Sequence, residues 1–212
     1  EKNDKVGYIF YVSYDGRKFD SFDENPGKYT VKGEFIRRMS EIGISWAKGV
    51  QQAGRTDAGV SAENNLFYIS TNFNGDMEYI RNKFNSYGNE VFIKKVIKTL
   101  SGIVLPDEIS ERTYEYRYKL KKTDIAIEEV QQKCGQLSGY YDVSEFTDKK
   151  GENLKEHFRN VNIGYSGNKF VITGNSFMPK QIRIMISYIL TGEKKPFPSK
   201  PLSLTGVKLS EG

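Results

Sequence analysis

Val6-Gly7-Tyr8-Ile9-Phe10-Tyr11-Val12-Ser13-Tyr14 is an apolar run rich in β-branched and aromatic residues, closed by the turn dipeptide Asp15-Gly16. Such a run, bounded by a turn signal, reads as a buried strand. Beyond it, Thr30–Ile44 (TVKGEFIRRMSEIGI) places Phe35, Ile36, Met39 and Ile42 at helical spacing behind Thr30, a natural N-cap. A loop bounded by glycines follows at Ala53–Val60, and then a strand over Asn65–Thr71, a short helix over Met77–Tyr87 and a strand over Val91–Thr99. The chain therefore opens on strand, helix, strand, helix, strand.

The second half repeats that grammar. Tyr114–Lys121 (YEYRYKLK) alternates as a half-buried strand should, and Asp124–Leu137 has helical periodicity with Thr123 or Asp124 as N-cap. Asn160–Tyr165 and Lys169–Gly174 read as a strand pair around Ser166-Gly167-Asn168. Pro179–Leu190 reads as a helix with Pro near its first turn, and a Pro-rich stretch, KKPFPSKP, leads to a last strand near Leu202–Leu209. The fold class expected is α+β, with two halves, 1–105 and 106–212, meeting near residues 100–113 without a low-complexity linker or an internal repeat.

Scarce residues narrow the chemistry. Among 212 residues there is one Cys, Cys134, and one His, His157. A lone Cys forms no intrachain disulfide, so a reducing, cytoplasmic setting is expected. One His and one Cys do not make a zinc site, and a Ser–His–Asp hydrolase would rest on His157 with no nucleophile-elbow motif in the chain. Chemistry is expected to run on a carboxylate, a Tyr or an Arg, without a metal or cofactor. No apolar run approaches a membrane span, and the first residues, EKNDKVGYIF, lack a signal-peptide pattern. The net charge of +5 is spread over both halves, with 15 basic against 13 acidic residues up to residue 105 and 17 against 14 beyond it. With 14 Tyr and 13 Phe, this composition is compatible with a partner whose bases stack on aromatic rings, and equally with an ordinary solvated surface over an aromatic core.

One loop concentrates reactive groups. In Gly54-Arg55-Thr56-Asp57-Ala58-Gly59 two glycines let the backbone turn sharply and admit a ligand, and a cation, a hydroxyl and a carboxylate stand between them. A carboxylate beside an Arg is kept ionised, which suits a nucleophile better than a general acid. Asp and Gly are also ordinary turn residues, so the loop by itself reads more readily as a turn with a local Arg55–Asp57 ion pair than as a reactive site.

The stretch Gly54-Arg55-Thr56-Asp57-Ala58-Gly59-Val60-Ser61-Ala62 closely resembles the catalytic signature of the TruA-type tRNA pseudouridine synthase family, with Ser61 in place of the usual His. Tyr14-Asp15-Gly16 with Phe19 resembles the family's opening motif, and Thr30-Val31-Lys32-Gly33-Glu34 its first helix start. Gly139–Phe146, Arg159-Asn160-Val161 and Asn175-Ser176-Phe177 followed by Gln181–Met185 resemble later landmarks in the same order. The family's Gly-Trp-Gln continuation after Phe19 is absent, and the segment between Thr99 and Glu111 is abbreviated.

The resemblance implies two RRM-like (ferredoxin-like) halves with antiparallel sheets joined around a central catalytic cleft. It implies isomerisation of uridine to pseudouridine in the tRNA anticodon stem-loop, with tRNA as partner and a homodimer as the assembly. Asp57 is then the nucleophile. Tyr114 or Tyr116, on a strand resembling the family's Arg-x-Tyr-x-Tyr pattern, stacks on the target base, and Arg183 pairs with Asp57 from an apolar helix. Arg55 holds the displaced RNA backbone, and Arg17 and Lys18 are further candidates for phosphate contact. Two rivals stand beside this reading. A non-catalytic RRM-like RNA-binding module would use the Tyr strand for stacking alone, and a carboxylate glycosidase would need a second acid near Asp57 that the sequence does not present.

Overall fold

β1 (Val6–Tyr14) is buried along nearly its whole length because it is an inner strand, paired antiparallel with β3 (Ser61–Thr71) on one side and β4 (Val91–Thr99) on the other. The computed structural model describes residues 5–148 and 156–210. Between these strands the chain forms α1 (Val31–Ile42), β2 (Ala47–Gln52), which pairs with β3, and α2 (Met77–Asn85). The element order is β-α-β-β-α-β, and the strand order is β4-β1-β3 with β2 also on β3.

Both faces of β1 are covered, which is why its sequence is a continuous apolar run and not an alternation. On one face the helices deliver aromatic rings. Phe35 of α1 lies 5.3 Å from Phe10 and 4.2 Å from Phe67, and Phe84 of α2 lies 5.6 Å from Phe35. On the other face Ile9, Ala53, Leu66, Tyr68, Leu105 and Ile109 form a second buried cluster.

α1 starts where the sequence indicates. The Thr30 hydroxyl accepts from the Gly33 N–H at 3.1 Å, and Gly43, at φ 93°, ends the helix in the left-handed conformation. On the buried side of α1, Arg38 is 0% exposed and fully engaged. Its guanidinium donates to Glu34 at 2.8 Å, Glu90 at 2.6 Å and the carbonyls of Gly88 and Val91 at 3.1 and 2.7 Å. Burial alone would push the Glu34 carboxyl up, but hydrogen bonds from Arg37 and Arg38 outweigh it and hold the group below its usual value.

A second compact unit comprises residues 110–203, and the first takes in residues up to 109 together with those from 204 onward. β5 (Ile109–Arg117) is followed by α3 (Ile127–Gln136), β6 (Gly139–Asp142), β7 (Phe158–Ser166), β8 (Lys169–Gly174), α4 (Gln181–Thr191) and β9 (Leu202–Leu209), which returns the chain to the first unit. The second unit's strands run β5-β8-β7-β6, all antiparallel. Gly167 and Asn168 both have positive φ, 58° and 60°, and link β7 to β8 as a two-residue turn matched to the strand twist. α4 is buried nearly all round, with Ile182, Ile184, Met185, Ile186 and Ile189 in the core. Cys134 is buried on α3, and burial pushes its thiol up to about 11, so it is a packing residue.

Three details correct the sequence reading. α3 starts at Ile127, not at Asp124, because the Asp124 carboxylate is committed elsewhere: it accepts from the Lys121 N–H at 2.7 Å and the Tyr118 hydroxyl at 2.8 Å. β5 ends at Arg117, so Tyr118–Lys121 leaves the strand expected to run through it. β2 and β6 were not anticipated; AKGVQQ and GYYD lack the β-branched alternation that marks a strand. None of the described helices is long and apolar enough to cross a membrane.

The engaged Arg38 yields two expected outcomes. Arg38→Leu should lower the unfolding free energy by about 3–5 kcal/mol, because it leaves Glu34 with Arg37 alone and the carbonyls of Gly88 and Val91 without their donor; a urea titration that moves the midpoint hardly at all would contradict this. Since the folded Glu34 carboxyl lies below its unfolded value, its contribution is present above the unfolded pKa and lost as pH falls through the folded one. Glu34→Gln should therefore flatten the acid side of the stability–pH profile, measured by urea titrations at stepped pH.

Candidate active site

The loop carrying Asp57 leaves β2 and re-enters the sheet at β3, and polar side chains from β1 and β3 hold it. Asn65, 0% exposed, reaches out of β3 to both backbone polar groups of Gly54. Its carbonyl oxygen accepts from the Gly54 N–H at 3.2 Å, and its amide donates to the Gly54 carbonyl at 2.9 Å. The same amide donates to the Tyr14 hydroxyl at 3.1 Å, and that hydroxyl shares a hydrogen bond of 2.8 Å with Thr56. A buried Asn with its bonding groups satisfied fixes direction as well as distance.

Beyond Thr56 the chain turns back. The Val60 N–H donates to the Asp57 carbonyl at 3.0 Å, and Gly59 at φ 89° takes the left-handed position of that turn. The end of this turn rests on Gly16. A Cβ on Gly16 would stand 2.1 Å from the Val60 carbonyl oxygen, so only glycine allows the approach. The Gly16 N–H donates to the Ser61 hydroxyl at 2.9 Å. Ser61, which departs from the family's usual His, thus ties the loop to the turn after β1.

Asp57 itself is half-buried at the head of the turn. A carboxylate held by its backbone in this way can serve as a nucleophile without first being ordered by a ligand. Arg55 points outward, 69% exposed, with its guanidinium 3.5 Å from Asp23. The acid that Arg55 meets is Asp23, on the segment before α1. Arg17 makes a two-pronged contact to Asp15, whose carboxyl it holds down at about 2, and Lys18 is exposed beside it. Arg17, Lys18 and Arg55 are therefore exposed cations on the unit that carries Asp57.

Tyr114, Tyr116 and Arg183 belong to the second unit. Alternation along β5 puts Arg112, Tyr114 and Tyr116 on one face, and all three are buried. Arg112 donates to the Asn175 carbonyl, and burial lowers its pKa. Tyr114, 8% exposed, meets Phe177 edge-on at 5.5 Å. Tyr116, 1% exposed, donates its hydroxyl to the Pro198 carbonyl at 2.9 Å, and burial pushes that hydroxyl up to about 12. Arg183 is half-buried on α4, where its Nε donates to the Phe197 carbonyl at 2.7 Å and its own carbonyl accepts from the Phe197 N–H at 3.2 Å. The Pro-rich stretch thus serves both residues: carbonyls of Phe197 and Pro198 fix the Arg183 side chain and the Tyr116 hydroxyl. Among the described residues, no group of three or more His, Cys, Asp or Glu gathers as a metal-ligand set.

Sequence reasoning passed over Asn65 and the hydroxyl of Tyr14. Asn65 carried a signal, since an amide at the head of the apolar strand Asn65–Thr71 needs a buried partner, but the partner, the Gly54 peptide, is invisible in a motif.

No family model matches the chain. Curated proteins do. It is 28% identical over 187 residues to the tRNA pseudouridine synthase A of Pyrococcus furiosus, covering 84% of this chain and 66% of that protein. It is 32% identical over 142 residues to the protein of the same name from Pyrococcus horikoshii, covering 64% of this chain and 50% of that one. The protein of that name from Picrophilus torridus is 26% identical over 196 residues, covering 91% of this chain and 74% of the relative. The chain thus spans half to two thirds of the length of the two Pyrococcus relatives. With bacterial proteins of the same name matching as well, among them that of Streptococcus suis, the chain is similar over most of its length to archaeal and bacterial proteins named tRNA pseudouridine synthase A.

Proposed function

We propose that this chain carries the catalytic apparatus of a tRNA pseudouridine synthase and isomerises uridine to pseudouridine in the anticodon stem-loop of tRNA. The observation that carries the reading is the Asp57 turn: a half-buried carboxylate on a glycine-shaped loop pinned by Tyr14, Gly16 and Asn65. Homology to proteins named for this activity supports it. The strand order β4-β1-β3 with β2 on β3, in a β-α-β-β-α-β chain, supports an RRM-like reading of the first unit, and we extend it to the second. A homodimer working on tRNA in the cytoplasm completes the proposal.

In the proposed reaction the Asp57 carboxylate attacks the flipped uridine, at C6 of the base or at C1′ of the ribose. The N1–C1′ bond breaks, the base turns, C5 bonds to C1′, the bond from Asp57 to C6 or C1′ is released to regenerate the carboxylate, and the proton lost from C5 is matched by one taken up at N1. The isomerisation is balanced by that exchange alone, so it needs neither oxidant nor energy source. Flipping costs a few kcal/mol and needs compensating contacts. Arg55, Arg17 and Lys18, all exposed, are proposed to supply them at the RNA backbone. Tyr114 is proposed to stack on the base in preference to Tyr116, whose ring is 1% exposed and whose hydroxyl is committed to Pro198. Arg183, oriented by Phe197, is proposed as the cation of the reaction centre.

The non-catalytic module would use β5 for stacking alone and would leave the Asp57 turn without a role. The two readings separate cleanly. Asp57→Asn should reduce tritium release from tRNA labelled at uridine C5 by about a thousandfold or more while leaving tRNA binding unchanged. Undiminished release would refute the nucleophile, and salt-sensitive binding without release from the unmutated chain would favour the module. Tyr114→Leu should cost the reaction heavily. Tyr116→Phe should instead cost about 1 kcal/mol of stability, in urea titration, and leave the release rate near that of the parent.

A further inference from the structure

The Asp57 loop is held at both of its ends by one short turn. On the N-terminal side the Tyr14 hydroxyl meets Thr56 at 2.8 Å, one residue before Asp57. On the C-terminal side the Gly16 N–H meets the Ser61 hydroxyl at 2.9 Å, and the Gly16 backbone lies against the Val60 carbonyl. Asn65 adds a third point, gripping the Gly54 peptide at 3.2 and 2.9 Å and the Tyr14 hydroxyl at 3.1 Å.

We infer that Tyr14, Gly16 and Asn65 are positioning residues for Asp57, and that Ser61 completes the same clamp. They act on the carboxylate through the loop that carries it. Building on the reading of Asp57 as nucleophile, this explains why Tyr14-Asp15-Gly16 and Gly54–Gly59 stand in one sequence although 37 residues separate them. A nucleophile displaced by about 1 Å loses about a hundredfold in rate, so a loop without helix or strand bonds of its own needs such external fixing. A hydroxyl pair buried merely for stability would show no such dependence, and the molecule contains a built-in comparison. Tyr8 lies on the same strand, equally buried, with its hydroxyl donating to the Phe73 carbonyl at 2.9 Å and accepting from the Gly75 N–H at 3.2 Å, remote in sequence from the Asp57 loop.

The experiment compares Tyr14→Phe with Tyr8→Phe in the full chain. Single-turnover tritium release from C5-labelled tRNA and amide hydrogen exchange at Val60 are read together. Tyr14→Phe should slow release about ten- to a hundredfold with the tRNA dissociation constant unchanged, and should speed exchange at Val60. Tyr8→Phe should do neither, while unfolding at lower urea. Thr56→Val should match Tyr14→Phe, and the double variant should lose no more than either alone. Equal rates in Tyr14→Phe and Tyr8→Phe would overturn the proposal. If the unmutated chain releases no tritium, the reading of the function fails, and the exchange contrast decides alone: faster exchange at Val60 confined to Tyr14→Phe upholds the clamp, and equal exchange removes it.

Discussion

The amide of Asn65 closes on both backbone polar groups of Gly54, and the geometry of the candidate site follows from that contact. Gly54 is the first residue of the loop, so a grip on its N–H and carbonyl sets the direction in which Arg55, Thr56 and Asp57 leave the sheet. The Tyr14 hydroxyl extends the grip to Thr56, and Gly16 receives the loop where it returns. Each bond has a modest net worth, about 1 kcal/mol, but breaking one buries an unsatisfied group and costs more. The network therefore rigidifies more than it stabilises.

That clamp depends on β1. The strand is inner and buried on both faces, so Tyr14 and Gly16, at its end, inherit the rigidity of the aromatic layer formed with Phe35, Phe67 and Phe84. Arg38 performs a comparable service behind that layer by joining α1 to the carbonyls of Gly88 and Val91. In the second unit the Pro-rich stretch does so for the candidate site residues. Pro196, Pro198 and Pro201 break any regular ladder there, which leaves the carbonyls of Phe197 and Pro198 to accept from Arg183 and Tyr116.

Much of this was legible in the residues. β1, α1, β4, β8 and β9 stand where periodicity and caps put them, because long apolar runs and a Thr N-cap leave few alternatives. β2 and β6 were not, since their residues follow no apolar period and their pairing comes from the neighbouring strand. Asp124 looked like a helix cap but serves Tyr118 and Lys121, a tertiary use that no local pattern discloses. The motif around Asp57 pointed to the loop, and resemblance pointed to its chemistry. What neither contained is the pairing of Asn65 with Gly54 and of Tyr14 with Thr56, contacts between residues 11 and 42 positions apart that exist only once the sheet has formed.

A carboxylate held in this way is proposed to act on uridine in tRNA. The most direct test is to incubate the chain with an unmodified tRNA transcript and map pseudouridine by position with a base-specific chemical adduct. New pseudouridine in the anticodon stem-loop, dependent on Asp57, is the expected result. A transcript that binds the chain yet contains no pseudouridine at any position would contradict it.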